Sequence, residues 1–360
     1  MEDLSKDTKR QVTIWLGVTL AMVLCMVFIG GVTRLTDSGL SMVQWRPLLG
    51  AIPPMNEQEW LEVFKQYQQF PEYKIVNNRM NLEEFKFIFF WEYFHRLFGR
   101  LIGLVFILPY LYFLVRKQLN KGWNRKLLLA LVLGGSQGLL GWFMVKSGLV
   151  DRPDVSHYRL AAHFGLALII MAYIYWLMLE LKQKTHDLSQ RTATHARKVI
   201  AIFSVIVVLQ VVYGAFVAGL DAGIGYNTFP KMGRYWIPTG LYSYDSFWQF
   251  AFESNVGVQF IHRCVGWSLF GFAFYFLVLA SQRINNKTIR RNFYLLSTMI
   301  FVQFALGVFT ILSMVKLSLA SAHQMGACVL VLLTVKTIYD LIHINTIEHV
   351  ELKSADKTTA

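Results

Sequence analysis

Eight stretches of this sequence are long and apolar enough to dictate what the chain can fold into. They run from Val12 to Gly31, Phe87 to Val115, Leu127 to Val145, Leu160 to Leu181, Val199 to Leu220, Val256 to Ala280, Phe293 to Val315 and Leu319 to Ile342. An apolar run of about 18 residues or more is the signature of a bilayer-spanning helix. Only helices and closed barrels satisfy every backbone N–H and C=O inside hydrocarbon. The sequence therefore predicts an all-α integral membrane protein with eight transmembrane helices. Composition agrees. Only 16% of residues are charged and 15% are aromatic, whereas a soluble domain carries about 25% charge. Disordered, collagen-like and disulfide-stapled classes are excluded.

The net charge of +13 is unevenly placed. Arg116, Lys117, Lys121, Arg125 and Lys126 follow span two; Lys182, Lys184, Arg191, Arg197 and Lys198 follow span four; Arg283, Lys287, Arg290 and Arg291 follow span six. The loops Lys146 to Arg159, Ala218 to Ala251 and Ser313 to Ser318 hold three, two and one basic residues. The positive-inside rule then puts the even-numbered connections and both termini in the cytoplasm, and it explains the basic excess without nucleic acid. The acidic start Met-Glu-Asp-Leu-Ser-Lys-Asp has no cleavage-site pattern, which favours a bacterial inner membrane. Cys25, Cys264 and Cys328 each lie in an apolar stretch, outside any CxxC or CxxCH pattern, so neither a disulfide framework nor covalent haem attachment is signalled.

The second half echoes the first. Asp37-Ser38-Gly39-Leu40 matches Asp221-Ala222-Gly223-Ile224, Phe94-His95-Arg96 matches Ile261-His262-Arg263, Gln137 to Gly141 matches Gln303 to Gly307, and Ala162-His163 matches Ala322-His323. Four matches in one order predict two tandem four-helix bundles, residues 1–181 and 199–342. A cytoplasmic linker, 182–198, joins them, and a cytoplasmic tail, 343–360, follows. Each unit holds an even number of spans, so the pseudo-two-fold axis should lie along the membrane normal. The long outer loop, 33–86, carries Trp60, Val63, Phe64 and Tyr67 at helical spacing after Asn56 and Glu59. A capped helix on the outer membrane surface would bury that stripe, against the bundle ends or over a ligand.

His186, His195, His343 and His349 sit in or beside basic cytoplasmic segments and read as solvated. His157, near the start of span four, reads as a ligand, a loop hydrogen-bonder or neither. His95, His163, His262 and His323 differ: each lies inside an apolar stretch on an even-numbered span, near its outer end. Ionisable groups in a bilayer default to functional hypotheses, and two pairs at equivalent places weaken the reading of chance interior residues. One histidine from the second helix and one from the fourth can approach a common point from opposite sides, as two axial nitrogens on a haem iron require. Zinc would want three or four ligands, including Cys, Asp or Glu, which the pairs do not offer. Arg96 and Arg263, with Arg34, Arg159 and Lys316 near the outer helix ends, suit haem propionates facing outward or simply snorkel. Gly138 and Gly141 allow close helix approach or room for a flat ring.

The halves differ at one chemical position. Glu92 stands three residues before His95, whereas Gln259 stands three before His262. A carboxylate beside one ring and an amide beside the other suggests that the first half reacts and the second carries electrons. Glu92 could relay a proton or stabilise developing positive charge; otherwise it is a structural partner of Arg96.

Thr33-Arg34-Leu35-Thr36-Asp37-Ser38-Gly39-Leu40-Ser41-Met42, Ile52-Pro53-Pro54, Glu92-Tyr93-Phe94-His95-Arg96 and the placement of the four histidines resemble the haem A synthase family over nearly the whole chain. The resemblance is to the class without a cysteine pair in the outer loops. It implies an oxidoreductase that converts a methyl group of haem O, through an alcohol, to the formyl group of haem A for terminal oxidase assembly. By resemblance His95 and His163 hold the substrate haem O iron, His262 and His323 hold a haem B cofactor, and Glu92 is the catalytic carboxylate. The haem O-producing farnesyltransferase, a quinone acceptor and membrane lipid are the implied partners. Without the resemblance, the same residues also fit a non-catalytic di-haem b-type cytochrome. A repeat-built transporter fits less well, because matched Gly/Pro-broken helices are not evident.

Overall fold

Each apolar stretch becomes a helix that begins before the stretch does, and the side chains of Ser5, Asn81, Ser254 and Asn286 cap four of those starts. The structure, a computed structural model, describes residues 4–43, 52–148, 155–182 and 185–347. The tail from 348 onward, which the sequence assigns to the cytoplasm, lies outside the described residues. Eight helices are long and apolar enough to cross a membrane: α1 (Lys6–Leu35), α4 (Leu82–Val115), α5 (Lys121–Gly148), α6 (His157–Lys182), α7 (Gln190–Gly219), α8 (Asn255–Gln282), α9 (Lys287–Leu312) and α10 (Leu317–Ile342). The shorter α2 (Glu57–Tyr67) and α3 (Pro71–Ile75) lie between α1 and α4. At 1.5 Å per residue the spans measure about 39–51 Å, against roughly 30 Å of hydrocarbon.

Two of the boundaries that differ from the sequence expectation show their physical reason plainly. Helix α4 starts at Leu82, five residues before the apolar run, because Asn81 and Glu84 form a capping box. Helix α9 stops at Leu312 because Met314 and Val315 both take positive φ, at 57° and 60°. The chain leaves α1 and α7 in the same way, with Asp37 and Asp221 both left-handed at φ 49°, a conformation aspartate tolerates better than most residues.

Helix α4 carries Pro109, which cannot donate to the carbonyl of Val105. The indole of Trp15 on α1 donates to that oxygen at 2.9 Å instead, so this carbonyl is not stranded in the bilayer. Helix α8 has the buried Phe276 at the corresponding place.

Helices α1, α6, α7 and α10 form the shared interior, with α6 against α7 and α10, and α1 against α10. Helices α4 and α5 flank the first unit, α8 and α9 the second. Leu16, Met171 and Ile174 centre the first core; Phe203, Phe276 and Phe293 centre the second. The predicted loop stripe packs against the N-terminal extension of α4: Phe64 and Tyr67 are buried on Phe85, and the half-buried Trp60 meets Phe89. At the opposite end, β1 (His186–Ser189) pairs in parallel with β2 (Ile344–Ile347). The buried Asp340 secures that end by accepting from Asn292 at 2.7 Å and pairing with Lys336.

Candidate functional site

The four span histidines sit opposite glycines, and the pattern is the same in both units. A Cβ at Gly30 on α1 would stand 3.2 Å from Nε2 of His95, and one at Gly214 on α7 would stand 3.1 Å from Cε1 of His262. A Cβ at Gly141 on α5 would lie 3.0 Å from Cε1 of His163, and one at Gly307 on α9 would lie 2.9 Å from Cε1 of His323. Any side chain there would push the imidazole aside, so each ring rests in a notch in the neighbouring helix. Gln137 donates to the carbonyl of His163 at 3.0 Å, and Gln303 to that of His323 at 2.8 Å, fixing the two fourth-helix histidines alike.

Each unit thus carries one such imidazole on its second spanning helix and one on its fourth, His95 with His163 and His262 with His323. The Nδ1 atoms of His163, His262 and His323 are buried without a hydrogen-bond partner. Buried nitrogens of this kind are unfavourable unless something else engages the ring. Among the described residues no group of three or more His, Cys, Asp or Glu side chains converges as a metal centre. Two nitrogens per site suit a macrocyclic metal that brings its own equatorial ligands, so the donor set fits haem.

The arginines that follow His95 and His262 also act in parallel. Arg96 donates to the carbonyl of Met42 at 3.0 Å, and Arg263 to that of Tyr226 at 2.8 Å, so each ties the outer segment back onto its helix. Arg263 also reaches the carbonyl of Thr228, and its Nε remains buried without a partner. Gln210 of α7 lies 3.2 Å from Nε2 of His262.

Glu92 breaks the symmetry. It is 2% exposed and accepts hydrogen bonds from Ser41 Oγ at 2.7 Å, from the Met42 amide at 2.7 Å and from Arg96 at 2.5 Å. Gln259 is equally buried, donates to the Tyr226 carbonyl at 3.3 Å and leaves its Oε1 without a partner. Glu92 is thus the partner of Arg96 and, at the same time, a carboxylate one turn outward of His95.

The other outer cations have different surroundings. Arg34 pairs with Asp37 at 2.7 Å and Asp221 at 2.9 Å, clasping the two units together. The Arg159 guanidinium lies over the Phe143 ring at 4.6 Å, and Lys316 immediately precedes α10 without a side-chain capping bond. His157 is buried at the start of α6 and faces Glu253 at 4.0 Å, while Tyr158 donates to Glu253 at 2.5 Å. That cluster joins the units and is separate from the paired histidines.

The sequence reading singled out Gly141, which faces the His163 ring, but missed Gly30 and Gly214, although both stand at the same distance before Asp37 and Asp221. It also passed over Gln210 and the intramembrane Arg100, which lies one turn inward of Arg96.

The sequence pattern of the cytochrome oxidase assembly protein family matches residues 13–335. Curated relatives carry the name heme A synthase. The protein of Nitrosospira multiformis is 45% identical over 323 residues, 89% of this chain and 91% of that protein. That of Rhodospirillum centenum is 43% identical over 341 residues, 93% and 89% of the two chains. That of Flavobacterium psychrophilum is 40% identical over 334 residues, 92% and 98%.

Proposed function

Because the chain belongs to the cytochrome oxidase assembly protein family, we propose that it is a haem A synthase, an oxidoreductase that oxidises a methyl group of haem O to the formyl group of haem A. The observation that carries this reading is the pairing of four notch-held histidines, two per unit, with a buried carboxylate beside only one pair. His95 and His163 would hold haem O as substrate; His262 and His323 would hold haem B. A haem ligated by two histidines supplies one-electron redox chemistry.

This chain's residues do the rest. Gly30, Gly141, Gly214 and Gly307 set the imidazole planes. Arg96 and Arg263 frame the outer rim, where the Nε of Arg263 offers a donor to a propionate. Removing hydrogen from a methyl group releases protons and builds positive charge. Glu92, anchored by three donors, holds negative charge at a fixed place near the reacting ring. Gln259 cannot do so, which supports electron carriage as the role of the second unit. We place the protein in a bacterial inner membrane with both termini cytoplasmic and the histidines in the outer leaflet. Quinone serves as electron acceptor, and the farnesyltransferase that makes haem O supplies the substrate.

The test is to express the chain in a membrane that makes haem O, purify it, and identify the extracted haems by chromatography with mass spectrometry. Haem B together with haem O, its alcohol and haem A is the expected result. Haem B alone, with haem O available in the membrane, would overturn the synthase in favour of an electron-transfer cytochrome.

A further inference from the structure

The two units differ most where their flanking helices meet. Helices α8 and α9 pack along their length, whereas α4 and α5 touch sparsely. The register set by His95 with His262, and by Gln137 with Gln303, gives the reason residue by residue. The α8–α9 seam is closed by aromatic rings: Trp267 lies 4.9 Å from Phe304, Phe270 lies 4.4 Å from Phe304 and 5.3 Å from Phe301. The corresponding positions in the first unit are Arg100 for Trp267, Gly103 for Phe270, Gly135 for Phe301 and Gly138 for Phe304. A Cβ built at Gly103, Gly135 or Gly138 would meet nothing within 4 Å.

We propose that the α4–α5 seam is a lateral opening through which an isoprenoid-bearing porphyrin reaches His95 and His163 from the bilayer, its apolar tail lying over Gly103, Gly135 and Gly138. The inference rests on the reading that this histidine pair holds the substrate haem. The position fits: Gly138 is one helical turn inward of Gly141, which abuts the His163 ring. The chemistry fits as well, because three of the four seam positions are glycine, the neighbouring Leu104 and Leu139 are exposed, and Arg100 alone is polar among the four. A substrate that must be exchanged needs an open seam; a retained cofactor is served by the aromatic closure.

The experiment rebuilds that closure in the first unit. Gly103→Phe and Gly138→Phe, singly and together, are expressed in a membrane that makes haem O, and the bound haems are extracted. Retained haem B with haem O plus haem A lowered at least tenfold is the expected result. Haem O plus haem A at the unsubstituted level would overturn the opening. If haem B is lost too, folding has failed, and a second variant decides. Gly138→Cys is purified, reconstituted in phosphatidylethanolamine–phosphatidylglycerol vesicles, and labelled with a bulky maleimide after folding. Haem O uptake blocked by the label at residue 138, and unaffected by the same label on Val302→Cys of the lipid-facing side of α9, supports the opening; equal uptake in both contradicts it. Failure of the unsubstituted protein to take up any haem O would instead overturn the substrate assignment of His95 and His163.

Discussion

Replacing Glu92 by Gln keeps the side-chain volume but removes the charge and turns one acceptor oxygen into a donor. In the structure that oxygen pair accepts from Ser41, Met42 and Arg96, and the carboxylate and guanidinium side chains are 3% and 13% exposed. Leaving one member of a buried ion pair without the other costs about 3–5 kcal/mol, here felt where residues 41–42 are pinned to α4. Ser41→Ala removes one hydrogen bond to a charged acceptor, about 1.5–3 kcal/mol, and leaves the carboxylate in place. If Glu92 acts on protons or charge during oxidation, Glu92→Gln lowers haem A formation about 100-fold or more while haem O still binds. Ser41→Ala then loosens the outer segment with less than about a tenfold loss of product. Haem A per protein, by chromatography, is measured beside the rate of limited proteolysis in residues 52–80. Equal product losses in the two variants, tracking proteolysis, would show that Glu92 is only an anchor; full product in Glu92→Gln would refute its role altogether.

Three further outcomes follow from the packing. Trp15→Phe strands the Val105 carbonyl that Pro109 leaves open, at about 1–3 kcal/mol, and Pro109→Ala should remove most of that loss by restoring the helical donor; thermal unfolding of the four members of the cycle measures it. Gly307→Ala puts a carbon 2.9 Å from His323 Cε1, closer than the roughly 3.5 Å of carbon contacts, and should lower haem B retention roughly tenfold without changing haem O content. Tyr67, in the outer segment, has its pKa raised well above the ordinary tyrosine value, first by burial and then by Glu72. The fold thus favours its neutral form, so its contribution is complete below about pH 10 and declines as pH rises beyond the unfolded value. Proteolysis of the outer segment should accelerate above that pH, and less so in Tyr67→Phe.

The spans, the repeat and the four histidines were legible because each leaves a mark in sequence: hydropathy for the helices, repeated dipeptides for the units. The outward extension of α4 was not, since Glu83, Glu84 and Lys86 break the apolar pattern while still favouring helix through their cap. The pairing of β1 with β2 was hidden in polar segments too short to show a period. At the site, the residue types carried the argument but their contacts did not. Arg34 looks like any outer cation until Asp37 and Asp221 are seen to converge on it from the two units. Arg96 and Arg263 resemble propionate partners, yet each also bonds a main-chain carbonyl of its outer segment. Gly141 and Gly307 showed in the repeated segments, but Gly30 and Gly214 lie outside any matched motif and act only as spaces, which leave no mark of their own in sequence.

The central claim is a division of labour between two histidine pairs, and extraction of haems from two double variants tests it most directly. His95→Ala with His163→Ala should lose haem O and haem A and keep haem B. His262→Ala with His323→Ala should lose haem B, keep haem O and make no haem A. Loss of the same haem from both variants, or retention of haem A by the second, would contradict the account.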